Sequence, residues 1–252
     1  MDLNLAGKAA IVTGSSRGLG RAAAVALANE GCGVAISARG AETLDATKRE
    51  LEAGGAKIVA TAADFNTAEG CQAVFDDAMK AFGRVDVLVN NVGGAGRGDE
   101  DEVWMEAYER NVLAAVRMCR LAVPVMRQNG GGAIVHVSSI WGRESGGFPQ
   151  YNNVKAALIS HAKNLALELA PDNIRVNAVC PGSIRFPGGG WDRRANEDPE
   201  GMDRFVRENI AMGRFGRADE VGNVIAFLCS ERASWVTGAA LNVDGGQSRS
   251  NI

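Results

Sequence analysis

The segment KAAIVTGSSRGLGRAAAVALANE, residues 8–30, passes from an apolar run through a glycine-rich turn into an alanine-rich stretch with helical periodicity. Residues 8–13 read as a strand and 18–30 as a helix. Between them Gly14, Gly18 and Gly20 permit a tight turn and a close backbone approach by a ligand. The start of the following helix offers free N–H groups to a phosphate. In a chain with 32 glycines the letters alone are weak evidence. Their position between the first strand and the first helix makes the segment a candidate dinucleotide phosphate site.

The same rhythm continues outward. Further strand candidates are 33–38, 57–62, 85–90, 133–138, 174–179 and 240–243, and amphipathic helical stretches fall near 42–53, 68–82, 102–128, 151–170 and 218–230. Strands that alternate with helices imply right-handed crossovers and a parallel sheet covered on both faces. The strands are apolar along their whole length, as parallel strands buried on both sides are. No repeat or linker divides the chain, so residues 1–252 read as one α/β domain. One stretch breaks the pattern. Residues 183–212, opening SIRFPGGGWDRRANEDPEGMD, are polar and glycine-rich and read as a long functional loop, a lid over the substrate.

Composition excludes several function classes. A net charge of −3 gives no electrostatic footprint for nucleic acid or an anionic membrane. The five cysteines are scattered without metal-ligand spacing and read as free thiols of a reducing compartment. Of the two histidines, His136 alternates with apolar strand residues and His161 lies on a helix, so no metal site is expected. The sequence shows neither a leader pattern nor about 18 consecutive apolar residues. A soluble cytoplasmic protein is the expectation.

Cofactor type is read at the end of the second strand. An acidic residue there would bind a ribose 2′-hydroxyl, and an arginine accommodates a 2′-phosphate. This chain has Ser37-Ala38-Arg39, with a second guanidinium at Arg17 in the glycine turn. NADP(H) is favoured and NAD(H) stays possible; the alternative is that Arg39 only begins a solvated helix. Asp64, ending the third strand, could accept a hydrogen bond from an adenine amino group or cap the next helix.

Tyr151 and Lys155 stand four apart at helical spacing, so they share a face. A cation beside a phenol favours phenolate and lowers a pKa of about 10 toward the working range of a general acid/base. Alone, the pair could equally be two exposed residues at a common spacing.

Taken together the residues resemble the short-chain dehydrogenases/reductases of about 250 residues. The resemblance rests on Thr13-Gly14 through Gly18-Leu19-Gly20, Asn90-Asn91-Val92-Gly93, Asn111 in ERNVLAA, the serine of VSSIWG, Tyr151-x-x-x-Lys155 and Pro181-Gly182, and it spans essentially the whole chain. It implies a Rossmann-type, doubly wound, seven-stranded parallel sheet of order 3-2-1-4-5-6-7. It also implies a hydride-transfer oxidoreductase that interconverts a ketone and a secondary alcohol, usually as a homotetramer.

By the same resemblance, Tyr151 exchanges the proton with the substrate oxygen, Lys155 lowers the tyrosine pKa and binds ribose, Ser139 holds the carbonyl and Asn111 extends the proton relay through a water. Gly14, Ser16, Arg17, Gly18, Leu19, Gly20, Arg39, Asp64, Phe65, Asn91, Gly93, Pro181, Gly182 and Ile184 join Tyr151 and Lys155 in holding the dinucleotide. The family spacing from serine to tyrosine points to Ser138, but the motif Ser-x-x-Gly and a loop one residue short at 143–150 favour Ser139. After Pro181-Gly182-Ser183-Ile184 the common threonine is missing, and Arg185, Phe186 and Pro187 follow. Val92 replaces a common alanine.

The pocket is expected to hold a partly apolar ketone among Trp141, Phe148, Phe186 and Trp191. Arg143 and Arg185 are either receivers of a substrate carboxylate or solvated loop residues. The overall pattern is similar to 3-oxoacyl-[acyl-carrier-protein] reductases, although Gly130 and Asp172 stand where such enzymes carry basic carrier-docking residues. A non-catalytic NADP(H) sensor is the other class, and it conflicts with a complete Asn111, serine, Tyr151, Lys155 set.

Overall fold

Strand β1 (Ala9–Val12) lies between two parallel neighbours, with Ala10 opposite Val34 of β2 (Gly33–Ala38) on one side and Val87 of β4 (Val87–Asn90) on the other. A computed structural model describes residues 2–251. With β3 (Ile58–Ala62), β5 (Gly132–Val137), β6 (Ile174–Pro181) and β9 (Ala240–Val243) the main sheet runs β3-β2-β1-β4-β5-β6-β9, parallel throughout. This is the expected order, β9 being the seventh strand candidate of the sequence. The two further strands, β7 (Ile184–Arg185) and β8 (Gly216–Arg217), pair only with each other.

Successive strand residues point to opposite faces, and here both faces are apolar. Ala10, Val12, Val34 and Val89 pack under α1 (Gly18–Asn29), α2 (Ala41–Ala53) and α9 (Ala218–Cys229). Ile11, Ala35, Leu88 and Ile134 pack under α3 (Ala68–Phe82), α5 (Ala114–Gln128) and α6 (Pro149–Leu169). The C-terminal ends of β1 and β4 then open onto one crevice, where ligands of this architecture bind. Among the described residues no helix is long and apolar enough to cross a membrane.

Two expectations need correction. The helix read over 102–128 is interrupted: α4 (Asp101–Tyr108) passes into a π-turn at Glu109–Leu113 before α5. No breaker residue marks the change, because the cause is a side chain. Asn111 Nδ2 donates to the carbonyls of Ala107, at 2.8 Å, and Gly94, at 2.7 Å. Such single π-turns gather at functional positions.

The segment 183–212 is not a loop. It holds α7 (Gly190–Glu197) and α8 (Pro199–Asn209), with Asp198 capping α8 by accepting from Gly201 N at 2.9 Å. Asp-Pro, which reads as punctuation, is here an N-cap followed by a first-turn proline. Trp191 stacks on Phe205, with centroids 4.8 Å apart, and meets Phe215 at a tilt at 5.5 Å, giving the pair of helices a small aromatic core.

Helices α1 and α9 touch where Gly222 meets the backbone of Ala22. A Cβ there would lie 2.6 Å from the Ala22 carbonyl oxygen. Gly222→Ala is therefore expected to lower stability by about 1–3 kcal/mol through overpacking, despite alanine's better helix propensity. A fall in the urea midpoint at constant m-value checks this.

Candidate active site

The turn after β1 is held from the neighbouring strand. Asn91 Nδ2 donates to the carbonyls of Thr13 and Gly14, both at 2.9 Å, and the amides of Asn91 and Val92 donate to Thr13 Oγ1 at 2.9 and 3.1 Å. Gly14 and Gly18 have φ of +65° and +58°, open to glycine at no steric cost. A Cβ on Gly20 would stand 2.3 Å from Gly14 O and 2.4 Å from Asn91 Nδ2, so only glycine lets helix, turn and amide meet. No side chain caps α1, which leaves its first-turn N–H groups to an anion. The Ser16 carbonyl is steadied by Thr47 Oγ1 at 3.1 Å, and Val92 packs beside Gly14.

Arg17 and Arg39 are exposed at the same edge, and their guanidiniums make no ion pair or hydrogen bond among the described residues. Asp64 is exposed and accepts from Asn66 N at 3.0 Å; the cap of α3 is Thr67, so the capping alternative for Asp64 is not what the structure shows. The Phe65 side chain is buried in the core, leaving only its backbone to a ligand. Pro181 ends β6, and Ile184, in β7, is buried at the cavity wall. Gly182 adjoins them, where a Cβ would stand 2.7 Å from both Asp244 Cβ and Gln247 Oε1.

The candidate proton-relay residues come together at the start of α6. Tyr151 lies in its first turn and Lys155 one turn on. Ser139 and Tyr151 line the same cavity, whereas Ser138 turns inward and donates to the Lys155 carbonyl at 2.7 Å. Lys155 Nζ donates to Val137 O at 2.9 Å and stands 5.5 Å from the Tyr151 ring centre. Asn111 Oδ1 accepts from Gly94 N at 3.2 Å. A Cβ on Gly93 would fall 2.7 Å from Asn111 Oδ1 and 2.8 Å from Lys155 Nζ, so both groups crowd this one backbone position.

A family profile described as enoyl-(acyl carrier protein) reductase matches residues 14–248. Human dehydrogenase/reductase SDR family member 4 is 36% identical over 96% of this chain and 88% of its own length. The 7alpha-hydroxysteroid dehydrogenase of Escherichia coli is 32% identical over 97% and 96%. Among solved structures, L-sorbose reductase from Gluconobacter frateurii, complexed with NADPH and L-sorbose, superposes with a TM-score of 0.95 at 39% identity, covering 99% of this chain and all of its own. A 7alpha-hydroxysteroid dehydrogenase complexed with NADH and 7-oxo glycochenodeoxycholic acid gives a TM-score of 0.91 at 31% identity, over 100% of this chain and 98% of its own.

This chain belongs to the short-chain dehydrogenase/reductase family. It is an oxidoreductase of the ketone and alcohol type that works with a nicotinamide dinucleotide.

Within this dehydrogenase/reductase, a cavity touches Ser139 and Tyr151. It measures about 180 Å³ and is bounded by Leu19, Ser139, Tyr151, Ile184, Phe186 and Trp191. A larger cavity of about 440 Å³ lies against α8 and β8, away from Tyr151. Trp141 meets the Tyr151 ring edge-on at 6.2 Å and Phe148 lies 5.6 Å away. The two candidate carboxylate receivers are committed elsewhere. Arg143 donates to the Ala240 carbonyl, and Arg185 pairs with Asp192 at 2.9 Å. Two guanidiniums lie over rings near the aromatic wall, Arg97 5.5 Å over Phe148 and Arg194 4.9 Å over Trp191.

Sequence reading missed three supports. Gln150 donates to the Gly98 carbonyl, Gln247 Oε1 accepts from Ser183 N at 2.7 Å, and Gly142 brings its turn against Lys155, where a Cβ would be 2.8 Å from the carbonyl oxygen. Each is a contact between segments distant in sequence, and no local pattern announces it.

Charge is scarce here. Burial pushes the Tyr151 phenol above its ordinary pKa, partly offset by the Ser139 hydrogen bond. The Lys155 ammonium, 5.5 Å from the ring centre, faces Val137 O. Burial brings Lys155 down to about 8, so it keeps its proton at neutral pH. Below it Cys119, His136 and His161 place possible metal donors within 4.8 Å of one another. The imidazoles are nearly coplanar, 9° apart, and share a 3.1 Å Nε2···Nδ1 hydrogen bond that uses the lone pair a metal would need. Burial takes His136 down to about 3 and the Cys119 thiol up to about 12, so both stay neutral.

The lysine has a stability signature. Its pKa is about 8 in the fold against 10.5 when free, so the unfolded chain holds more protons between those values and stability gains as pH rises through them. Relative to a Lys155→Met variant, the protein is expected to gain on the order of 3 kcal/mol between pH 8 and 10.5. Urea melts of both proteins at several pH values test this, and parallel curves would refute it.

Proposed function

We propose that this enzyme is an NADP(H)-dependent reductase of a ketone to a secondary alcohol, with Tyr151, Lys155, Ser139 and Asn111 as its proton relay. The observation that carries it is that Ser139 and Tyr151 line one cavity with Leu19 of the helix after the glycine turn, while Lys155, one turn along α6 from Tyr151, meets Gly93 and Asn111. Gly14, Ser16, Gly18, Leu19 and Gly20 fit the phosphates of the dinucleotide; Arg17 and Arg39, both uncommitted, fit its 2′-phosphate. Bound there, the nicotinamide supplies or accepts hydride. The protein's own groups do the rest. Ser139 and the Tyr151 hydroxyl hold the substrate oxygen as charge develops on it, and Tyr151 delivers its proton. Lys155, protonated at neutral pH, then stabilises the phenolate that remains. Asn111, fixed by the π-turn, holds the backbone against which Lys155 rests.

The aromatic, cation-poor cavity supports a partly apolar, uncharged ketone. A 3-oxoacyl thioester remains the second substrate reading, favoured by the acyl-carrier name of the matching profile and opposed at the docking positions, where Asp172 is ion-paired to Arg127 at 2.7 Å. Large apolar residues stand exposed on two sides: Met105, Tyr108 and Leu167 on α4 and α6, and Phe227, Trp235 and Leu241 around α9 and β9. They support a homotetramer built through two kinds of interface. The five cysteines, all free and buried, fit a cytoplasmic setting. Helices α7 and α8 serve as the substrate lid.

Tyr151→Phe is expected to keep NADPH binding within about two-fold while lowering kcat by at least about 10²-fold; near-full activity would sink the relay. Arg39→Asp should move the preference from NADPH toward NADH, read by fluorescence titration with each nucleotide. An unchanged preference would separate Arg39 from the 2′-phosphate. Trp235→Lys and Leu167→Lys should each halve the assembly in light scattering, against the alternative that both stay tetrameric or that the parent is a monomer.

A further inference from the structure

Gly18 is the middle glycine of the cradle, and what stands on it comes from another part of the chain. A Cβ at Gly18 would lie 2.7 Å from Phe186 Cζ, 2.9 Å from Cε2 and 3.1 Å from Cε1, so the outer edge of that ring rests on the glycine. This glycine position serves to let backbone approach a pyrophosphate. The ring and a pyrophosphate therefore claim the same ground. The cavity that Phe186 walls, at about 180 Å³, is also smaller than the roughly 300–1,000 Å³ usual for ligand sites.

Phe186 is also stapled to the lid. Gly189 N donates to its carbonyl at 2.9 Å, Gly188 N donates to Asp192 at 3.0 Å, and Arg193 donates back to Gly188 O at 2.9 Å. Through this turn the ring is joined to Trp191 and its contacts with Phe205 and Phe215. On the other side β7 anchors the segment to β8, with Ile184 paired to Gly216.

We infer that Phe186 is a gate on the phosphate cradle: a dinucleotide enters by levering the ring off Gly18, and α7 with α8 moves as the ring moves. The inference rests on the dinucleotide reading proposed above. It makes residue 186 a determinant of cofactor affinity, because part of the binding free energy goes into displacing the ring. A small side chain there removes that cost.

The test compares the parent with Phe186→Ala and Phe186→Thr by tryptophan-fluorescence titration, using NADPH and, separately, adenosine 2′-monophosphate. The latter carries the adenosine end and no pyrophosphate. Both variants are expected to bind NADPH about ten-fold more tightly with unchanged affinity for adenosine 2′-monophosphate. In the parent, backbone hydrogen exchange over 186–209 is expected to quicken on adding NADPH. Equal or weaker NADPH binding by the variants would overturn the gate. If neither variant folds, the parent's exchange decides, and slowed or unaltered exchange with NADPH bound overturns it as well. Failure of all three proteins to bind either nucleotide would instead remove the dinucleotide reading, and the gate with it.

Discussion

The side-chain amide of Asn91 fastens the glycine turn to the end of β4, and much else in the site is referred to that bond. Its two donated hydrogen bonds fix Thr13 and Gly14, and its approach is possible only because Gly20 has no side chain. Two residues further on, Gly93 lies between Asn111 and Lys155. The glycine turn and the contact of Lys155 with Asn111 are thus set on one short stretch of backbone, 91–94. Preorganisation of this kind is what proton and hydride transfer require of a scaffold.

The interior around the relay is nearly free of charge, and that decides how its groups behave. Lys155 keeps its proton at neutrality with one carbonyl as a partner, and the tyrosine stays a phenol. A resting site of neutral acid and nearby cation is suited to giving up a proton. The imidazole pair beneath it stays neutral through burial and adds no competing charge. Arg185 is drawn outward by Asp192 and Arg143 is held by the Ala240 carbonyl at β9, so neither lines the cavity beside Tyr151.

Much of this was legible in the chain. The alternating apolar runs placed the main-sheet strands, because a parallel strand buried on both faces has no choice of polarity. Gly14, Gly18 and Gly20 declared the cradle because glycine there answers a local geometric need. Spacing to Tyr151 pointed to Ser138, and only the Ser-x-x-Gly motif with a shortened loop favoured Ser139. What stayed hidden depends on contacts between distant segments. The π-turn at Asn111 comes from bonds to Gly94 and Ala107, not from helix propensity. Helices α7 and α8 bury their few apolar residues against one another, so their sequence is as polar as a loop. Arg143 is indistinguishable from a substrate ligand until β9 arrives to accept its bond. Phe186 read as a missing hydroxyl; its position on Gly18 is set by the staple at 188–193.

An enzyme that handles carbonyl compounds must live among electrophiles, and its thiols are the groups most exposed to them. Here burial lifts Cys32, Cys119 and Cys229 to about 12 and Cys71 and Cys180 to about 11. The nucleophile is the thiolate, so the native protein presents almost none, even at Cys180, immediately before Pro181 at the site. The fold thereby protects itself chemically from its own reactants, and alkylation of any of the five becomes a clock for how often the interior opens.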